Sequence, residues 1–365
     1  MLRPLRNFWQ RVSEGIAIQQ LWAQLSADAR ASYRFYAGEM NRGLPEKAYA
    51  RKSFPHIVRG LFWAMALKLS PARRAVLVIA LVLLFVPSLH FGWRGGEIDL
   101  EGFHFWGGAA LLLLLALELA DRVTMKRDLE IAREIQSWLM PSAAPTVPGV
   151  DMAFATRPAN TVAGDYYDAF FRPSGRLLVA VADVAGKSIP AALLTATLQA
   201  SLRTLAAMPG SLVELVSQVN RYACAQSLHG QRFTTAFLAE LEPATGALTY
   251  VNAGHNWPVL RRAAGSVERL EAGGLPLGIN GALPYQSGST TLAPGDLLLI
   301  FTDGLVDAED AAAHDYGEER LLPVVDSIGT AGAAEALQRV MASVDAFVGA
   351  TRQHDDITCL LLRMQ

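Results

Sequence analysis

Two apolar runs constrain this chain more than anything else in it. Ala75–Leu89 reads AVLVIALVLLFVPSL and Phe103–Leu117 reads FHFWGGAALLLLLAL, and neither contains Asp, Glu, Lys or Arg. Each approaches the length of about 17–20 residues that a membrane-crossing helix needs, and flanking His90, Phe91, Trp93 and Trp106 extend them. The polar stretch between them, Arg94–Glu101, is short, as a membrane hairpin requires, because backbone left outside helices must stay out of the lipid. A pair of buried core helices is the alternative. Lys68, Arg73 and Arg74 precede the first run, and Arg122, Lys126 and Arg127 follow the second. The loop sets Arg94 against Glu97, Asp99 and Glu101. The positive-inside rule therefore predicts a two-span hairpin in the cytoplasmic membrane with both termini cytoplasmic.

Composition agrees with a membrane-associated globular chain of 365 residues. Apolar residues are 52% and charged residues only 18%, with mean hydropathy +0.23. That excludes a disordered polar chain. Two cysteines, Cys224 and Cys359, exclude a disulfide scaffold and read as small core residues. The net charge of −2 conceals an asymmetry. Residues 1–74 hold 13 Lys/Arg against 4 Asp/Glu, and the rest holds 19 against 30. The basic segment suits membrane lipid better than nucleic acid, given the runs that follow it. Its stretches Phe8–Leu25 and Ile57–Leu69 have helical apolar spacing and suit an interfacial helix or a small helical domain.

Residues 121–140 form an uninterrupted helical linker ended by Pro141. Met125, Leu129, Ala132, Gln136 and Leu139 make a seam at 4-3-4-3 spacing, and Ile131, Ile135 and Trp138 make a second strip. Two such strips could serve both a second copy, giving a homodimer, and a downstream domain; the alternative is one amphipathic helix packed on its own domain. The division predicted is thus 1–74 basic helical segment, 75–120 hairpin, 121–140 linker and 141–365 acidic C-terminal domain.

In the acidic part, strand patterns at Leu177–Val184, Thr234–Leu241, Ala247–Asn252, Leu297–Thr302 and Ile357–Arg363 mix with helical patterns at 189–208, 211–228 and 331–348. The strands come in consecutive runs, which predicts α+β with antiparallel sheets. Aspartates recur at the ends of apolar strands: Asp165 in AGDYYD, Asp183 ending LLVAVADV, Asp303 in TDG, and Asp355 and Asp356 before ITCLLL. One such Asp is a turn former or cap. Four clusters at one sheet rim would repel and raise each other's pKa, a penalty that a divalent cation removes. Oxygen ligands without a His or Cys cluster favour Mg²⁺ or Mn²⁺ over Zn²⁺.

The ordered segments AREIQSWLMP, AGDYYD, DVAGKSIPAAL, FTTAFLAELEPATGALTYVNAGH, GLPLGI, PGDLLLIFTDGLVDA and HDDIT cover about 235 residues from Asp128 onward. They resemble bacterial serine phosphatases of the stage II sporulation protein E and sigma-B regulator type, a branch of the metal-dependent protein phosphatase 2C superfamily. The resemblance implies an α-β-β-α sandwich with two Mn²⁺ or Mg²⁺ ions and a metal-activated water that hydrolyses phosphoserine or phosphothreonine. By position, Asp165 holds the second ion, Asp183 bridges both with help from the Val184 carbonyl, and Asp303 and Asp355 complete the first. Asp356 joins the metal set or supports it from behind. Arg133–Gln136 matches the family's regulatory helix. The implied partner is a phosphorylated anti-anti-sigma regulator of STAS type. Ala163, Ser188 and Asp307 depart from the usual pattern, and none of them removes a metal carboxylate. His255, in AGH, reads as structural rather than catalytic, and Arg157 as a surface residue rather than a phosphate contact. The competing readings are a pseudophosphatase scaffold in the same pathway and a small-molecule or lipid phosphatase using membrane proximity, which would need an apolar substrate cleft.

Overall fold

The computed structural model describes residues 62–63, 65–85, 90–93, 96–99, 103–186, 189–226 and 232–365. Most of the basic segment, including Phe8–Leu25, lies outside the described residues, as do Lys187 and Ser188. The chain divides into two compact units, Met1–Val123 and Thr124–Gln365.

In the first unit, helix α1 spans Pro71–Phe85. Pro71 stands at its first position, where the missing N–H costs nothing. The Arg74 guanidinium donates to the Leu67 and Leu69 carbonyls and so satisfies backbone just before α1. Helix α2 begins at Phe103, and Gly107 is buried where it meets α1. A Cβ at Gly107 would lie 2.9 Å from the Ala80 carbonyl oxygen. The polar stretch between the helices pairs as a hairpin, β1 (His90–Trp93) antiparallel to β2 (Gly96–Asp99).

The second apolar run and the linker prove to be one element. Helix α2 runs unbroken over 37 residues, Phe103–Leu139, because no Gly or Pro follows Gly108 until Pro141. Among the described residues it is the one helix long and apolar enough to cross a membrane. At 1.5 Å per residue, the 15 residues of α1 reach only about 22 Å, and 86–89 of the first run lie outside the described residues.

The second unit is a four-layer sandwich. The first sheet contains β4 (Asp165–Phe171), β5 (Leu177–Val184), β6 (Thr234–Glu242) and β7 (Ala247–Ala253), paired antiparallel in that order. Beyond β7 lie β10 (Gly273–Gly274) and β11 (Gly288–Thr291). The second sheet runs β3 (Val150–Arg157), β13 (Ile357–Met364), β12 (Leu297–Phe301), β8 (Val259–Arg261), β9 (Val267–Arg269), antiparallel throughout.

Strand periodicity sorts the side chains. Val179, Val181, Phe237 and Leu241 of the first sheet meet Leu298, Ile300, Leu360 and Leu362 of the second. The alternate residues Leu178, Ala180, Ala182 and Leu238 pack outward on α3 (Ile189–Ala206) and α4 (Leu212–Gln226). Leu297, Leu299, Phe301 and Leu361 pack outward on α5 (Glu318–Ser327) and α6 (Ala333–Val348). Both faces of β5 and β12 are therefore covered, which is why LLVAVADV and LLLIF are continuous apolar runs rather than alternating ones. The expected α+β class and α-β-β-α layering are what the chain adopts. Cys359 is buried in the outer core, and both cysteines are free thiols.

Candidate metal centre and active site

The same periodicity carries four carboxylates to one rim. Along β4, Asp165 shares the inter-sheet parity of Tyr167 and Ala169; along β5, Asp183 shares that of Val179 and Val181. The two aspartates are directly paired in the β4–β5 ladder. In the second sheet, Thr302 and Asp303 follow β12 while Asp355 and Asp356 precede β13, its antiparallel neighbour. Strand ends that are neighbours in an antiparallel ladder share a rim. The two rims face each other across the sandwich.

The hydroxyl of Thr302 joins them. It donates to Asp165 Oδ2 at 2.9 Å and accepts the Thr358 amide at 2.9 Å. Thr358 in turn lies 3.0 Å from Thr156 through their hydroxyls. Both Thr302 and Thr358 are fully buried.

Asp356 has a different position from its neighbours. Its Oδ1 accepts the Ala159 amide and its Oδ2 the Gly164 amide, both at 2.6 Å. Both oxygens thus fasten the 159–164 loop that delivers Asp165. Gly304 is where backbone must approach closely. A Cβ there would stand 2.1 Å from the Asp356 carbonyl oxygen. Gly186, after Asp183 and Val184, has φ +115°, a conformation that favours glycine.

The electrostatics follow from burial and crowding. Burial, then repulsion from Asp303, Asp355 and Asp356, pushes the Asp183 carboxyl up to about 7. Burial also raises Asp165 well above the carboxylate range, with Asp183 and Asp356 adding to the rise and the threonine hydrogen bonds opposing it. Asp307 is raised by burial and then by Asp303, Asp315 and Asp355. Among the described residues no three His, Cys, Asp or Glu side chains close into a formed metal cage. The donor set still fits hard divalent cations. It is all oxygen, contributed by both sheets, and carries negative charge that its own surroundings disfavour.

The linker helix reaches this rim. Gln136 Nε2 donates to the Ala163 carbonyl at 2.7 Å, and Gln136 Oε1 accepts the Ala163 amide at 3.0 Å. Thr195 Oγ1 of α3 donates to the Gly164 carbonyl at 2.7 Å, and Gln199 of α3 donates to the Leu139 carbonyl at 3.3 Å. The residue pair just before Asp165 is therefore gripped from α2, α3 and Asp356. The C-terminal end of the linker seam serves its own domain, while Ile131, Ile135 and Trp138 are exposed.

Arg157 makes a two-pronged ion pair with Asp345 of α6, at 2.5 and 3.0 Å. His255 is 4% exposed, its Nδ1 lies 3.1 Å from Thr235 Oγ1, and Asn252 holds its amide. Its Nε2 is buried facing the Phe301 backbone without a well-formed hydrogen bond. Asp168, the second aspartate of AGDYYD, points to the helical face and binds Arg203 at 2.7 and 2.8 Å and the Tyr166 hydroxyl at 2.7 Å.

A two-sheet sandwich with helical outer layers and an acidic rim between the sheets is the architecture of PP2C-type serine/threonine protein phosphatases. Residues 173–365 match the Stage II sporulation protein E (SpoIIE) family, and the chain belongs to that family. It is 26% identical to protein IcfG of Synechocystis sp. over 75% of this chain and 47% of that protein. It is 27% identical to the phosphoserine phosphatase RsbU of Bacillus subtilis over 66% of this chain and 70% of RsbU. The chain thus spans about half the length of the first relative and about two thirds of the second. The SiaA-PP2C domain of Pseudomonas aeruginosa shares the fold, with a TM-score of 0.60 at 21% identity over 67% of this chain and 99% of that domain.

Proposed function

We propose that this chain is a membrane-anchored protein phosphatase that hydrolyses phosphoserine or phosphothreonine on a regulatory partner protein. The observation that carries the reading is the meeting of Asp165 and Asp183 with Asp303 and Asp355 at one inter-sheet rim, where burial and then the neighbouring carboxylates lift Asp183 to about 7. Asp165, Asp183, Asp303 and Asp355, with the Val184 carbonyl, would hold two Mn²⁺ or Mg²⁺ ions. Asp356 belongs with them as the residue that fastens the Asp165 loop. Bound ions would supply charge neutralisation at the phosphoryl oxygens and an acidified water. The chain's own part is to hold four carboxylates close together at one rim, where bound cations would favour their ionised form. Phosphoryl transfer asks chiefly for positioning and charge stabilisation.

Similarity to RsbU supports a partner-switching role with a phosphorylated STAS-type regulator as substrate. The apolar helix Phe103–Leu139 and the basic flanks support anchoring through a hairpin over 75–120, with 1–74 and the domain from 141 onward on the cytoplasmic side. The exposed strip Ile131, Ile135 and Trp138 supports a homodimer through the linker.

The test is phosphate release from a phosphoserine protein by the full chain in detergent, with and without Mn²⁺, beside Asp183→Asn. Release that needs metal and is lost in the variant is the expected result. Metal binding without release, from every phosphoprotein offered, would favour the scaffold reading.

A further inference from the structure

The first unit contains a cavity of about 370 Å³, within the size range of small-molecule sites. Its apolar wall includes Met65, Leu77, Leu111, Leu114 and Leu115, and the charged residues bordering it are Lys68, Glu118 and Arg122. Leu111, Leu114, Leu115, Glu118 and Arg122 follow one stripe of α2 at helical spacing. Glu118 and Arg122 therefore sit at one end of the slot, about 5–10 Å beyond the last leucine along the helix axis.

The sign of that end is decided by Arg73. It binds Glu118 at 3.3 Å and Asp121 at 2.6 Å, taking up both local acids. Among the described residues at this end, the bases Lys68, Arg73, Arg74 and Arg122 outnumber the acids Glu118 and Asp121, which gives it a positive excess. An apolar wall gives water too few partners to be a good occupant. An apolar slot that ends in positive charge matches a molecule with a hydrocarbon chain and an anionic head. Val78, Ile79, Val82, Leu112 and Leu113 on the same two helices are exposed, which is the surface expected of helices bathed in such molecules.

We propose that this cavity binds one anionic phospholipid of the surrounding bilayer, with an acyl chain along Leu111–Leu115 and the phosphate head at Lys68 and Arg122. The inference rests on the reading of 75–120 as membrane-embedded. The two are separable. Alkaline carbonate extraction of membranes carrying the full chain tests the embedding, and release of the chain would overturn both ideas.

For a retained chain, the measurement is native mass spectrometry from nanodiscs of equal phosphatidylglycerol and phosphatidylcholine. About tenfold preferential retention of one phosphatidylglycerol per chain is expected. Arg122→Glu should abolish the preference. Leu115→Trp should abolish retention by filling the slot, and since Leu115 is 56% exposed the unit's packing does not depend on it. Arg127→Glu, outside the cavity, should change nothing. Equal retention of both lipids, or a preference that survives both cavity variants, would overturn the slot while leaving the anchor standing.

Discussion

The hydroxyl of Thr302, on the second sheet, donates to Oδ2 of Asp165, on the first, at 2.9 Å. The same oxygen accepts the Thr358 amide, and the carboxylate is the nearest of the acceptors within reach of its single proton. This bond sets the spacing between the two pairs of carboxylates. The apolar core fixes the sheets elsewhere but offers no direction at the polar rim.

Replacing Thr302 with Val should therefore do more than weaken the fold. It leaves the buried Thr358 amide unpaired, at about 1–3 kcal/mol, and frees Asp165 to turn. Groups that orient metal ligands typically govern 10–100-fold in affinity. We expect a loss of that order in Mn²⁺ binding by calorimetry, with Thr302→Ser restoring most of it. Equal Mn²⁺ affinity in the Val and Ser variants would reduce Thr302 to a stability role.

Gln136 offers a second lever, because its amide uses both of its ends on Ala163. Gln136→Glu keeps the acceptor and loses the donor, and Gln136→Ala loses both. Turnover should fall in the order Gln, Glu, Ala, while global stability changes by no more than about 1–2 kcal/mol. A graded fall in kcat that is not tracked by the small shift in urea midpoint is the signature of a loop held in place. Parallel loss of both would mean that Gln136 only packs the helix.

The strand cores were legible in the sequence, and LLVAVADV, LLLIF and ITCLLL form within a residue of their expected bounds. The aspartates at their ends were legible for the same reason, since charge interrupts an apolar run abruptly. What escaped is long-range. Thr302 finds Asp165 across 137 residues, and Arg157 finds Asp345 across 188, and no local spacing encodes either meeting. Strand β3, VDMAFATR, lacks a strong apolar pattern because sheet packing and α6 only partly cover it. The linker and second apolar run read as two segments because their compositions differ, but the backbone has no reason to break where composition changes.

Asp183 should trade stability for function. Its folded carboxyl, raised to about 7 by burial and neighbouring charge, holds a proton that the unfolded chain releases near 4. Between those values the folded state binds more protons, so metal-free stability falls as pH rises from about 4 to 7, and the penalty is complete above 7. Asp183→Asn removes the penalty. It should stabilise the metal-free chain at pH 8 on the order of 2 kcal/mol while abolishing turnover. Denaturation in EDTA reads the first effect and phosphate release the second. A variant less stable than the parent at pH 8 would mean that the carboxylate is already neutralised by groups of this chain.

His255 predicts the opposite slope. Burial pulls its ring down to about 4 from 6.5, so the folded state resists a proton that the unfolded chain accepts. Stability is full above about 6.5 and is lost as pH falls through that window to about 4, by at most about 1.4 kcal/mol per pH unit. His255→Gln should flatten this limb. The difference in urea midpoint between parent and variant should therefore shift in the variant's favour on going from pH 7 to pH 5. Near pH 7 the buried ring is neutral and lies against Thr235, opposite Asp183 in the β5–β6 ladder. That position suits support of the strand carrying Asp183 rather than proton donation to a leaving serine. The pH–rate profile of His255→Gln should keep the shape of the parent's at reduced amplitude. A lost alkaline limb in that profile would instead make His255 a proton donor.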